Sequence, residues 1–183
     1  MRVTQREMQA SHTRIVEGTA RLMRERGVQS TSVADAMSEA GMTHGGFYRH
    51  FENKDELVIE ALRSAFDDFA RPLELRQHFE PARAVAAEYK SLYLSQGHVE
   101  NPGHGCPMPA LGSDLARESE HVKAEFSIGL QRVISALAAA GDGTPDDRVV
   151  AATREVAMLV GAVLLARGGT PAMAEKILAA CRE

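Results

Sequence analysis

The sequence predicts an all-α protein, and three observations carry that prediction. Apolar residues recur at three- and four-residue spacing through most of the chain, no stretch alternates with period two for long enough to make a strand, and Gly and Pro gather where the helical period breaks. The 183 residues are 44% hydrophobic and 25% charged, the balance of an ordinary globular protein of one or two small domains. A chain of this length hides roughly 70% of the surface its extended form exposes, so it needs no staples. Its two cysteines, Cys106 and Cys181, suit a reducing cytoplasm better than a secreted disulfide framework.

The elements follow in order. Residues 12–26 place Ile15, Thr19, Leu22 and Met23 on one face, with Ser11 positioned to cap the start and Gly27 to end the helix in a left-handed turn. Thr31 and Ser32 precede a short apolar face, Val33, Ala36, Met37 and Ala40, that stops at Gly41. Thr43 is placed to cap a third short helix, His44 to Phe51, in which Phe47 and Phe51 point the same way. Asn53 and Glu56 open a fourth helix whose period, Val58, Ala61, Ala65 and Phe69, is expected to last until Pro72. After Pro81 the pattern returns with Val85, Tyr89, Leu92 and Tyr93, then breaks into a loop over Gly97 to Pro109. Three helices complete the chain: about Ser113 to Ala139, Asp146 to Arg167 and Ala172 to Arg182, separated by Gly141-Asp142-Gly143 and Gly168-Gly169.

Composition also excludes function classes. The charges between Arg2 and Arg26 leave no apolar secretory segment. The longest uninterrupted apolar run, Val156 to Ala166, has 11 residues, short of the roughly 20 that cross a bilayer, so no membrane partner is expected. The net charge of −4 is uneven: residues 1–54 hold 8 Lys or Arg against 6 Asp or Glu, so a polyanion would be met there rather than on the acidic remainder.

Chemistry concentrates first in Thr31 to Lys54, TSVADAMSEAGMTHGGFYRHFENK. Two short helices joined at Gly41-Met42 make a helix-turn-helix, the second helix entering a major groove by its N-terminal end. Thr43 offers a hydroxyl to a phosphate, and Gly45 and Gly46 remove bulk where groove walls approach. With Phe47 and Phe51 facing the core, His44, Tyr48 and Arg49 turn outward and Lys54 lies near the same surface.

Residues 12–57, through Thr31, Gly41, Thr43, Gly45, Tyr48, His50, Phe51 and Lys54, closely resemble the N-terminal DNA-binding domain of TetR/AcrR-type transcriptional regulators. The resemblance implies a homodimeric regulator, usually a repressor and not an enzyme, with a DNA-binding domain over residues 1–53 and a helical effector-binding and dimerisation domain over 54–183. Its partners would be double-stranded DNA with a near-palindromic operator, a second copy of the chain, and a small-molecule effector; no cofactor and no metal is implied. By matching position, Thr31, Thr43, Tyr48, His50 and Lys54 would touch phosphates and His44, Gly45 and Gly46 would lie nearest the bases. One departure is the order Ala36-Met37, where the family usually has a large aliphatic and then alanine.

The second unusual feature is the loop around Cys106. His104 stands two residues away, and a histidinium beside a thiol can make it reactive at neutral pH, which gives the alternative of a redox or electrophile sensor or a small thiol enzyme. A metal site from His98, His104 and Cys106 matches no strong ligand spacing. In the body, Tyr89, Tyr93, Cys106, Met108, Phe126 and Met158 are candidates to line an effector cavity, although core packing explains each equally well. The helix over residues 146–167 is apolar around much of its girth, with Ala152, Ala157 and Gly161 among larger residues, so dimerisation through the last two helices is expected.

Overall fold

A computed structural model describes residues 4–182. In chain order they form α1 (Gln5–Arg26), α2 (Val33–Glu39), a 3-10 segment η1 (His44–Arg49), α3 (Lys54–Arg76), α4 (Ala82–Tyr93), α5 (Gln96–Glu100), a second 3-10 turn η2 (Pro102–His104), α6 (Pro107–Leu115), α7 (Glu120–Ala138), α8 (Pro145–Gly168) and α9 (Pro171–Arg182). No strand occurs among the described residues. The first three residues and Glu183, which the expected domain limits include, lie outside them.

Several boundaries differ from the sequence reading, each for a local reason. α1 starts at Gln5 rather than after Ser11, because Thr4 and Glu7 form a capping box: the Thr4 hydroxyl accepts from the Glu7 N–H and the Glu7 carboxylate accepts from the Thr4 N–H at 2.8 Å. α3 runs through Pro72 to Arg76. The ring removes one helical hydrogen bond, but Ala70 and Leu73 on either side are buried in the body, and that burial holds the helix together. The expected loop over 97–109 contains α5, η2 and the start of α6. The single helix expected over Ser113 to Ala139 is two: α6 ends at Leu115, and Ser119 starts α7 by accepting from the Val122 N–H. α8 and α9 lie where the sequence puts them, α8 opened by a Thr144–Asp147 capping box.

Three apolar clusters lie in series. Ile15, Val16, Ala36, Met37, Phe47, Phe51 and Leu57 form the core of the head. Ala20, Met23, Val28, Val58, Ala61, Leu62, Leu111 and Leu115 join head to body. The largest cluster fills the body between α3, α4, α6, α7, α8 and α9. α3 feeds all three, from Leu57 through Val58 to Phe66 and Leu73, so 23 residues and about 35 Å of helix form the spine. α7 crosses that spine closely at Gly129, where a Cβ would overlap the Phe66 ring.

The swapped Ala36-Met37 pair is accommodated: both are fully buried, and the longer Met37 reaches Gly46, whose missing side chain leaves its Cε room at 3.4 Å from where a Cβ would stand. α8 corrects the reading taken from its 11-residue run. It has 24 residues and a stretch of mean hydropathy 1.9, enough by length and composition alone to cross a membrane, because a few charges interrupt the run without lowering its average much. A third of that stretch is buried in the protein. Leu164 and Leu165 on α8 and Met173 on α9 remain more than half exposed.

Candidate nucleic-acid interface

The head is built around a rigid brace and an open tip. α2 is fixed at its start by the Ser32–Asp35 capping box, whose hydrogen bonds hold the Asp35 carboxyl below the usual carboxylate range. The turn beyond it passes through Gly41, whose φ of +71° favours a residue without a Cβ. The Met42 N–H then donates to the Met37 carbonyl at 2.8 Å, so the turn folds back tightly. η1 follows as a 3-10 helix instead of the expected α-helix: two glycines stand in its first turn, and the Gly46 N–H bonds to the Thr43 carbonyl three residues back at 3.0 Å. Thr43 makes no side-chain cap, contrary to expectation, and its exposed hydroxyl is free for another partner.

Behind the tip, aromatic rings lock its orientation. Phe47 and Phe51 are buried and stack at 5.4 Å. The His12 ring stacks on Phe51 at 4.7 Å while its Nε2 lies 2.7 Å from the Glu60 carboxylate, so α1, the link that follows η1, and α3 are pinned together at one point. Nothing in the local sequence announces this pair, because its members are 48 residues apart. In front, His44, Gly45 and Arg49 are exposed, and Tyr48 is 76% exposed with its ring edge-on to Phe47 at 5.2 Å. A Cβ at Gly45 would meet nothing within 4 Å.

The remaining sequence candidates divide. His50 is half-buried, and burial together with His12 and Arg49 pushes its imidazole below the ordinary range, so it is neutral at pH 7 and can offer an N–H but no charge. Thr31 departs from its expected phosphate role: it is buried, and its hydroxyl donates to the Gly27 carbonyl at 2.8 Å. Lys54 is half-buried, with its ammonium donating to the Val28 carbonyl at 3.2 Å. Both side chains thus lock the α1–α2 turn, and Lys54 retains two further N–H donors. From the body, Asp114 on α6 joins the same turn by accepting from the Val28 N–H at 3.2 Å.

The body candidates also separate. Tyr89 and Tyr93 line an apolar cavity of about 220 Å³ between α3 and α4, whereas Met108, Phe126 and Met158 pack elsewhere in the core. Cys106 is fully buried, and burial pushes its thiol up to about 11, the reverse of what a reactive thiolate needs. His104, the expected activator, is exposed. The histidine that does approach is His98, and it serves the main chain: its Nε2 accepts from the Cys106 N–H at 2.9 Å and its Nδ1–H donates to the Tyr93 carbonyl at 2.6 Å. Both ring nitrogens are committed, which leaves none for a metal, and burial holds the imidazole below its ordinary range.

Comparison with known proteins places this geometry. The sequence profile of "Bacterial regulatory proteins, tetR family" matches residues 15–61. The HTH-type transcriptional regulator TtgR of Pseudomonas putida is 37% identical over 84 residues, which cover 44% of this chain and 40% of that protein, so the chain matches about two fifths of this relative. The HTH-type transcriptional regulator Rv0196 of Mycobacterium tuberculosis is 28% identical over 170 residues, 87% of this chain and 86% of its own. A TetR-family regulator from Cytophaga hutchinsonii has the same fold, with a TM-score of 0.77 at 20% identity, over 100% of this chain and 95% of its own.

Proposed function

We propose, from the premise that this chain carries the N-terminal domain of the bacterial tetR regulator family, that it is a DNA-binding transcriptional regulator whose operator grip a small molecule releases. The observation that carries the reading is the tip of the head. His44, Tyr48 and Arg49 stand exposed on a segment whose aromatic back is clamped from two helices, and a polar, cationic, rigid edge of this kind suits a major groove. Thr43, Tyr48, His50 and Lys54 then touch phosphates, and His44, Gly45 and Gly46 lie nearest the bases. The Cys106 alternative is left without support, because the thiol is buried and protonated.

The division of labour follows residues 1–53 and 54–183. The exposed Leu164, Leu165 and Met173 give α8 and α9 an apolar face that a second copy would cover, and a two-fold dimer would set two tips one DNA turn, roughly 34–36 Å, apart on a near-palindromic site. A DNA-binding role also puts the protein in the cytoplasm. Release needs a connection between body and tip, and α6 supplies one. Its N-terminal end is Cys106, in the cluster with Tyr93 and His98, and its C-terminal end carries Asp114, bonded to the α1–α2 turn that Thr31 and Lys54 also hold. A ligand that prefers one α6 position a hundredfold supplies about 2.7 kcal/mol toward release.

The test is a gel shift of the purified protein on its own upstream DNA. A specific duplex should be retained, Arg49→Ala should weaken retention, and His44→Ala should change the preferred sequence. Equal retention of scrambled duplex, or indifference to both substitutions, contradicts the reading. Light scattering on the same sample should give twice the chain mass.

A further inference from the structure

We propose that His12, held by Glu60, is the positioning residue of the DNA-reading tip: it acts through the ring stack behind the tip to fix the angle at which His44 to Arg49 meet the bases. This inference rests on the regulator reading and adds the residue pair on which its sequence discrimination depends.

The tip does not hold its own shape. η1 is six residues of 3-10 helix with two glycines in its first turn, and Thr43 gives it no side-chain cap. A segment so short has too few hydrogen bonds to be rigid alone, so its orientation is set by what its rings pack against. Those rings form a continuous run. Tyr48 meets Phe47 edge-on at 5.2 Å, Phe47 stacks on Phe51 at 5.4 Å, and Phe51 stacks on His12 at 4.7 Å. His12 ends the run on α1, where its ring also lies 5.8 Å from that of His50.

The inner end of the run is tied by a directional bond. Ile15, Val16, Ala36, Met37 and Leu57 complete the head core, and being apolar they bury the rings without fixing how each is turned. The His12 Nε2–H donates to the Glu60 carboxylate at 2.7 Å, which sets the plane of the imidazole and so of the Phe51 ring inclined 26° to it. Glu60 stands on α3, so the tip is referenced to the spine of the molecule. The two side chains are 22% and 29% exposed, so loss of either leaves the other within reach of water and costs little stability.

The consequence therefore falls on sequence reading. Phosphate contacts tolerate a tip that turns by a few degrees and carry no sequence information, whereas bonds to base edges need donors held to within about 0.5 Å.

The experiment is anisotropy titration of labelled duplex with the full chain, on upstream DNA and on a scrambled duplex of equal length, read as the ratio of the two affinities. His12→Phe keeps a ring on Phe51 and removes the bond; it should lower the ratio about tenfold, the worth of one misread base pair, with scrambled-duplex affinity unchanged. Glu60→Ala should lower the ratio as far, whereas Glu60→Gln, which changes the charge equally but keeps a carbonyl acceptor, should retain the wild-type ratio. The double variant His12→Phe, Glu60→Ala should be no worse than either single variant. If His12→Phe does not fold, the two Glu60 variants alone decide. An unchanged ratio in His12→Phe and Glu60→Ala overturns the inference, as does a loss shared equally by both duplexes, which marks a merely structural role, a Glu60→Gln that falls with Glu60→Ala, or additive losses in the double variant. The wild type keeps the two readings apart. No discrimination by the wild type removes the regulator reading, and discrimination that every variant retains removes the positioning role alone.

Discussion

Residues 43–50 and 96–108 are written in nearly the same alphabet and meet opposite fates. Both are short, rich in Gly and His, placed beside aromatic rings, and partly 3-10. In the head segment the polar side chains point out: His44, Tyr48 and Arg49 are exposed, and Gly45 faces open space. In the body segment His98 points in and the main chain is held from within. His98 spends both ring nitrogens on the main chain, Arg167 binds the carbonyls of His98 and Val99, and the buried Arg24 donates to the Gly103 carbonyl. Glycine serves different ends as well. A Cβ at Gly105 would stand 2.8 Å from the His98 ring, and one at Gly45 would touch nothing. What separates a segment awaiting an outside partner from a structural knot is the number of its polar groups already satisfied within the fold.

That contrast can be broken by substitution, and the largest effect is expected in the body. His98→Leu leaves the Cys106 N–H and the Tyr93 carbonyl buried without partners, a loss of about 2–5 kcal/mol, read as a fall of roughly 5–15 °C in melting temperature. Gly105→Ala should cost about 1–3 kcal/mol in the same assay, because the ring it strikes is held at both nitrogens. In the head, Arg49→Ala should move the melting temperature by no more than the equivalent of about 0.5 kcal/mol, yet weaken duplex binding and flatten its salt dependence. Gly45→Ala should be neutral or slightly stabilising for folding while lowering duplex affinity; unchanged affinity would mean that nothing approaches this backbone. The smallest effect concerns pH. Folded His98 holds its proton less well than the unfolded chain, where the value is about 6.5, so the unfolded state binds more protons and the contribution of His98, complete above that pH, is lost as the pH falls toward the folded value. Denaturant titrations from pH 7 to 5 should therefore show a steeper loss for wild type than for His98→Asn. Part of the slope should survive in the variant, because His50 in the head is shifted the same way.

The contrast also marks where the sequence was legible. The helix-turn-helix could be read because its determinants are local: Gly41 at a positive φ, the Phe47 and Phe51 spacing, and the Asn53 cap. The start of α1 was equally local in the Thr4–Glu7 box, a signal outweighed by the apolar period that begins at Ile15. Continuation of α3 through Pro72 was not legible, since propensity argues for a stop and only tertiary burial of Ala70 and Leu73 overrides it. The same holds for the site. Outward Tyr48 and Arg49 follow from helical geometry, whereas the inward turn of Thr31 and Lys54 depends on the Gly27 and Val28 carbonyls, which the fold brings to them. In the body, Gly, His and Pro announced an irregular segment, but whether its histidine faced a thiol or the main chain depended on α4 and α6 meeting there.

Hydrogen exchange with and without DNA tests the central claim most directly, because one experiment reports on both segments. In the free protein, amides over residues 43–50 should exchange faster than those over 96–108. Saturating upstream duplex should slow exchange over 43–50 and leave 96–108 unchanged. Exchange over 43–50 that stays at the free rate while the duplex is bound would contradict the account, since DNA would then be held by some other surface.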